Sequence, residues 1–214
     1  MRTMNHRIIG AALCLTALLS LTACTPVGHA VGDTQDQASQ IAHDSIHVSD
    51  MSIGLVGSED SAADKMALDA LADAGISVFY ASLGSTGADS ESGQNINQPD
   101  GEDSQSTQQS AEDTTAQHAV EDFLNRPVSL VIISGINVTD TNRDGWHQTL
   151  TTVRQAGIPV ALLNPQSVPR DETLYAATLT INDRDAGAVA IGDAAVSIIR
   201  DEPHERSIAV STVS

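Results

Sequence analysis

From Met51 onward, short apolar runs that stop at glycine or a polar turn alternate with longer segments of helical period. MSIGLVG reads as a strand, Ser58-Glu59-Asp60-Ser61 as a turn, and AADKMALDALADAG as a helix with Met66, Leu68 and Leu71 on its apolar stripe. Gly75 stops that helix as a left-handed C′ residue, and Ile76 to Tyr80 follows as a second strand. AVEDFLNRP reads as a short helix. Val128 to Ser134 is a near-continuous apolar strand of the kind covered on both faces. A helix over Asp144–Ala156, strands over Ile158–Leu163 and Tyr175–Ile181, a helix over DAGAVAIGDAAVSIIR and a last strand over Ser207–Ser211 complete the pattern. Ala74-Gly75-Ile76 and Ala156-Gly157-Ile158 are the same helix-to-strand joint used twice. Strands alternating with helices predict an α/β domain, a doubly wound parallel sheet, over residues 51–214.

Two stretches break the alternation. Residues 24–50 are polar and small, and are expected to form a flexible stalk. Residues 85–117 carry no Lys, Arg or aromatic side chain and almost nothing to bury, and are expected to be a disordered acidic insert. His43 and His47 stand four apart in the stalk without a third ligand, so no metal site is expected.

The N-terminus adds an address. Arg2 and Arg7 precede an apolar run, Ile8 to Ser20, that is shorter than the roughly 20 residues needed to span a bilayer. Leu21-Thr22-Ala23-Cys24 then resembles a bacterial lipobox, with residues 1–23 as the signal peptide and Cys24 as the lipidated residue. An ordinary secretory signal and an N-terminal core helix are the other readings of the same run. Cys14 lies inside the signal, so processing at Cys24 leaves no cysteine pair to bridge. The formal charge of -18 makes nucleic acid an unsuitable partner.

In parallel sheets, ligands bind beyond the strand C-termini. The residues expected there are Ser58, Glu59 and Asp60; Ser82; Ser134 and Asn137; Asn164; Asn182 and Asp183. They are short and uncharged or acidic, suited to hydroxyl groups and unsuited to phosphate. Several have a plain alternative. Asp183 and Asp144 precede helices and fit N-caps, and Asn164 before Pro165 fits a turn. Trp146 either lines the crevice or packs beneath it.

VSLVIISGINVTDTNRDGWHQTLTTVRQAGIPVALLNP, followed by LYAATLTINDRDAGAVAIGDAAV, resembles the N-terminal lobe of type I periplasmic sugar-binding proteins of ABC transporters. The resemblance implies a carbohydrate ligand between two lobes, transporter permease subunits as partners, no cofactor, and an extracytoplasmic location that the lipid anchor would suit. The ligand-binding residues would then be Ser58, Glu59, Ser134, Asn137, Trp146, Asn164, Asn182 and Asp183. The chain departs from the family at Asn164-Pro165, where an Asp-Arg pair is common, and in its aromatic content of 2%. It also ends after the strand that would cross into a second lobe, so the expected fold is the first lobe only.

Nothing in the sequence points to an enzyme: G-x-S-x-G, S-x-x-K, P-loop, H-E-x-x-H and Cys-His arrangements do not occur. A phosphate-receiving signalling domain would want a carboxylate where Ser134 stands. The alternative to a sugar receptor is a single-lobe envelope lipoprotein that contacts other proteins without capturing a small molecule.

Overall fold

Seven strands line up side by side in the order β2-β1-β3-β4-β5-β7-β6, all parallel. The computed structural model describes residues 28–34, 46–83 and 102–213, the last stretch with side chains from 109 onward. Cys24, the signal segment and residues 84–101 lie outside the described residues. The elements are β1 (Ser52–Val56), α1 (Ser61–Asp73), β2 (Ser77–Ala81), α2 (Glu102–Phe123), β3 (Leu130–Ser134), α3 (Arg143–Gln155), β4 (Val160–Leu163), β5 (Ala177–Ile181), β6 (Val189–Ala190), α4 (Ile191–Ile199) and β7 (Ser207–Ser211), with two 3-10 turns at Val48–Asp50 and Glu172–Leu174.

The central strands are apolar on both sides because both sides are covered. Ile53, Leu55, Leu130, Ile132 and Leu163 face α1 and α4, meeting Leu71, Ala195 and Ile198. Val56, Val131, Ile133 and Leu162 face α2 and α3, meeting Val120, Phe123, Leu150 and Val153. Successive strand residues point to opposite faces, so two hydrophobic layers need the unbroken apolar runs seen in the sequence. Among the described residues, no helix is long and apolar enough to cross a membrane.

Three expectations need correction. The helix read as beginning at Ala119 is α2, 22 residues long from Glu102, so the residues expected to be disordered from 102 to 117 are helical. Asp113 and Ala116 are buried, and with Val120 and Phe123 they make one stripe at spacings of three, four and three. The helix read from Asp185 starts only at Ile191. Before it the chain passes from β5 over the end of β7 to reach the outer strand β6. The third concerns the stalk, where residues 28–34 are docked. Ala30 and Thr34 are buried, Asp33 pairs with Arg206 at 2.9 Å, Thr34 donates to the Glu202 carbonyl at 2.7 Å, and Arg154 donates to the His29 carbonyl at 2.9 Å.

Candidate functional site

The strand order reverses at β1, which has β2 on one side and β3 on the other, so the loops leaving β1 and β3 diverge and open a crevice between them. A cavity of about 280 Å³ lies there. Val56 and Ile133, the last inward residues of their strands on the α2 face, belong to its lining. Around them stand residues from the loops after β1, β3 and β4, the middle of α2, and Trp146 of α3.

The β1 loop is held by a buried carboxylate. Asp64, 1% exposed in the first turn of α1, accepts the Ser58 backbone N–H at 2.6 Å, the Ser58 hydroxyl at 3.1 Å and the Tyr80 hydroxyl at 3.3 Å. Burial pushes the Tyr80 phenol up from its ordinary value, and the Asp64 charge adds to this. Asp60 accepts the Ala63 N–H at 3.1 Å and caps α1. Gly135 has φ of +66°, and a Cβ there would come within 2.8 Å of the Ser58 Cβ, so glycine lets the β1 and β3 loops meet.

The opposite wall is α2, which contributes Gln109, Glu112, Asp113 and Ala116. Asp113, 8% exposed, ties that wall to α3: one oxygen accepts the Trp146 indole N–H at 3.4 Å and the other the Asn142 amide at 2.8 Å. Asn142 also donates to the Asn137 carbonyl at 2.8 Å, which joins the β3 loop to the same network. A hydrogen bond with the Glu112 side chain, then the like charge of Glu112 and some burial, push the Glu59 carboxyl above its ordinary value. Among the described residues, none that lines the cavity is Lys, Arg or His. Among the described residues, no group of three or more His, Cys, Asp or Glu is placed to hold a metal ion.

Six of the eight expected ligand residues meet in this cavity: Ser58, Glu59, Ser134, Asn137, Trp146 and Asn164. Trp146 is 2% exposed with its N–H committed to Asp113, so it forms wall and core together and offers no open stacking face. Asn164 lines the cavity in a left-handed conformation, φ +45°, with its Oδ1 accepting the Ile181 N–H at 2.9 Å. It is both turn and rim.

Asn182 and Asp183 lie outside the lining. They follow β5, which is separated from β3 by β4, and the chain there turns away across β7. Asp183 neither caps a helix nor faces the cavity. It accepts the Thr212 backbone N–H at 2.6 Å together with the Thr212 and Ser211 hydroxyls, and the Thr212 N–H is the first cause holding its carboxyl below the ordinary value. Asp144 is likewise no cap, since Asn142 holds the N-cap position of α3.

The residues missed by sequence reasoning are Asp64, Gln109, Glu112, Asp113 and Gln166. The stripe Asp113, Ala116, Val120 and Phe123 was the signal that would have carried the helix upstream, and the polar residues on the cavity side hid it.

No family model matches the chain, and no curated protein matches it. Among solved structures it is similar to a galactofuranose binding protein, with 16% identity, a TM-score of 0.41, and coverage of 74% of this chain and 56% of that one. It is similar also to the periplasmic binding protein component of the arabinose ABC transporter from Shewanella sp. ANA-3, with 16% identity, a TM-score of 0.41, and coverage of 76% and 56%. A third is the 5-methylthioribose transporter solute binding protein from Thermotoga lettingae TMO, with 14% identity, a TM-score of 0.38, and coverage of 77% and 52%. The chain spans about half the length of these structures.

Proposed function

We propose that this protein is a solute receptor that captures a carbohydrate at the C-terminal edge of its sheet and serves an ABC transporter from a lipid anchor on Cys24. The observation that carries the proposal is the cavity at the strand-order reversal, where apolar side chains stand beside hydroxyl, carboxamide and carboxylate groups and, among the described residues, no cation lines it. Such groups exchange hydrogen bonds with sugar hydroxyls and leave an anionic ligand unpaired. The role is binding without chemistry. The cavity is open on one side, and a second lobe closing over it would exclude water and add contacts.

Titration calorimetry of the chain against neutral monosaccharides tests the proposal. Binding on the order of millimolar is expected, about -4 kcal/mol, and it should weaken in Asn137→Ala. A folded protein that binds no sugar would refute the receptor reading. The anchor is tested separately: Cys24→Ser should abolish palmitate incorporation and release the protein from membranes.

A further inference from the structure

We infer that residues 28–34 and the turn between α4 and β7 form a proton-operated clasp, in which His204 as the imidazolium holds the docked segment and loosens it when the ring loses its second proton. The turn precedes β7, so the clasp lies at the N-terminal edge of the sheet, opposite the cavity, and is independent of any ligand.

His204 is half-buried and has a carbonyl oxygen at each ring nitrogen. Nε2 stands 2.7 Å from the Gly32 oxygen and Nδ1 stands 2.9 Å from the Glu205 oxygen. A carbonyl oxygen only accepts, and a neutral imidazole has one N–H and one lone pair, so either neutral tautomer sets a lone pair against an oxygen. The imidazolium alone donates to both, through bonds of the stronger, charge-assisted kind.

The segment is shaped to bring its carbonyl to that ring. Gly32 has φ of +79°, and a Cβ there would come within 2.8 Å of the Pro159 Cβ, so glycine lets the chain lie against the domain. Thr34, 2% exposed, donates to the Glu202 carbonyl at 2.7 Å and accepts the His204 backbone N–H at 3.2 Å. The same turn therefore grips the segment on both sides of Asp33, and the proton sits at the centre of the grip.

The charges around the ring favour the proton. Asp201, in the same turn, carries a carboxyl that burial pushes up and the His204 charge pulls back down. Glu202 and Glu205 belong to the turn as well, and the segment brings Asp33 and His29. The cations of the turn are both engaged, Arg206 with Asp33 at 2.9 Å and Arg200 with Glu202 at 3.8 Å. From α3, Arg154 donates to the His29 carbonyl. The docked state holds a proton that the undocked ring holds less firmly. Docking is accordingly complete in acid and weakens as pH rises through the range in which the clasped ring loses that proton.

Hydrogen exchange of the full chain tests the clasp at the Asp33 amide, which donates to the Ala30 carbonyl at 3.2 Å. Corrected for the intrinsic exchange rate, protection there should fall about tenfold between about pH 5 and about pH 8, the window in which histidine changes charge, while the amides of β3 keep theirs. The fall should disappear in His204→Gln, whose carboxamide donates without titrating. Nitrogen-15 shifts of the His204 ring give a reading that needs no variant: both nitrogens should carry a proton where the segment is most protected. A flat profile in the unaltered chain, or the same fall in His204→Gln, overturns the inference. So does a ring with one lone-pair nitrogen at the acid end of the window while Asp33 is protected.

Discussion

The carboxylate of Asp113 accepts the indole N–H of Trp146 at 3.4 Å, and through that contact α2 is fastened to α3 beside the candidate site. A helix of mostly polar residues is thereby held as a cavity wall by two polar partners, the buried Trp146 and the half-buried Asn142, which is the second donor.

Asp113→Ala leaves both donors unpaired in a site nearly closed to solvent, so a loss of about 2 kcal/mol in urea unfolding is expected. Trp146 is the only tryptophan of the chain, so its fluorescence reports the event directly. Emission should shift to the red in the native variant as the α2 wall loosens. An unshifted spectrum with unchanged stability would show that α2 is held by its apolar stripe alone.

Asp64 organises the β1 loop from beneath. Asp64→Ala should cost about 2–3 kcal/mol, because the Ser58 N–H and the Tyr80 hydroxyl lose their acceptor at a position 1% exposed. The Tyr80 phenol, raised by burial and by Asp64, should titrate at lower pH in Asp64→Asn. Tyrosinate absorbance measured in a Tyr175→Phe background checks this. Since the folded-state pKa of Tyr80 lies above its unfolded value, its contribution to stability is complete below the ordinary phenol range and is lost as pH rises through the raised value.

Asp183 clamps the end of β7, and its lowered pKa sets the acid limit of that clamp. The clamp should be intact at any pH above the ordinary carboxylate range and be lost as pH falls through the lowered value. Hydrogen exchange at the Thr212 amide should accelerate in Asp183→Ala at neutral pH, with α1 and β1 unaffected. Unchanged exchange at Thr212 would remove the clamp.

The docked segment before the domain rests on Arg206, whose guanidinium pairs with Asp33 and stacks on Tyr175 at 4.6 Å. The pair is mostly buried, with side-chain exposures of 20% and 6%. Arg206→Ala should therefore cost about 3 kcal/mol. A chain starting at Gly28 should unfold as cooperatively as a longer one, whereas one starting at Ile46 should be less stable. Equal midpoints for the two truncations would return residues 28–34 to the status of a free stalk.

The Asp183 clamp and the α2 wall separate what could be read along the chain from what could not. Apolar runs of strand length, glycine joints at Gly75 and Gly157, and the alternation of strand with helix determined a parallel doubly wound sheet. Each of these signals is local, set by the backbone freedom of glycine and by the period at which side chains return to one face. They also placed Ser58, Ser134, Asn137 and Asn164 at strand ends, and a parallel sheet brings strand ends to one edge. Which of those ends share a cavity was decided by strand order: β1, β3 and β4 are neighbours, while the chain after β5 leaves across β7 and takes Asn182 and Asp183 with it. The far wall was decided by tertiary contact as well. From Glu102 to Asp113 the sequence has no apolar stripe to announce a helix, because the described residues of that stretch that line the cavity, Gln109, Glu112 and Asp113, are polar; only the partners Trp146, Asn142 and Glu59, 29 or more residues away in sequence, give them a reason to be there.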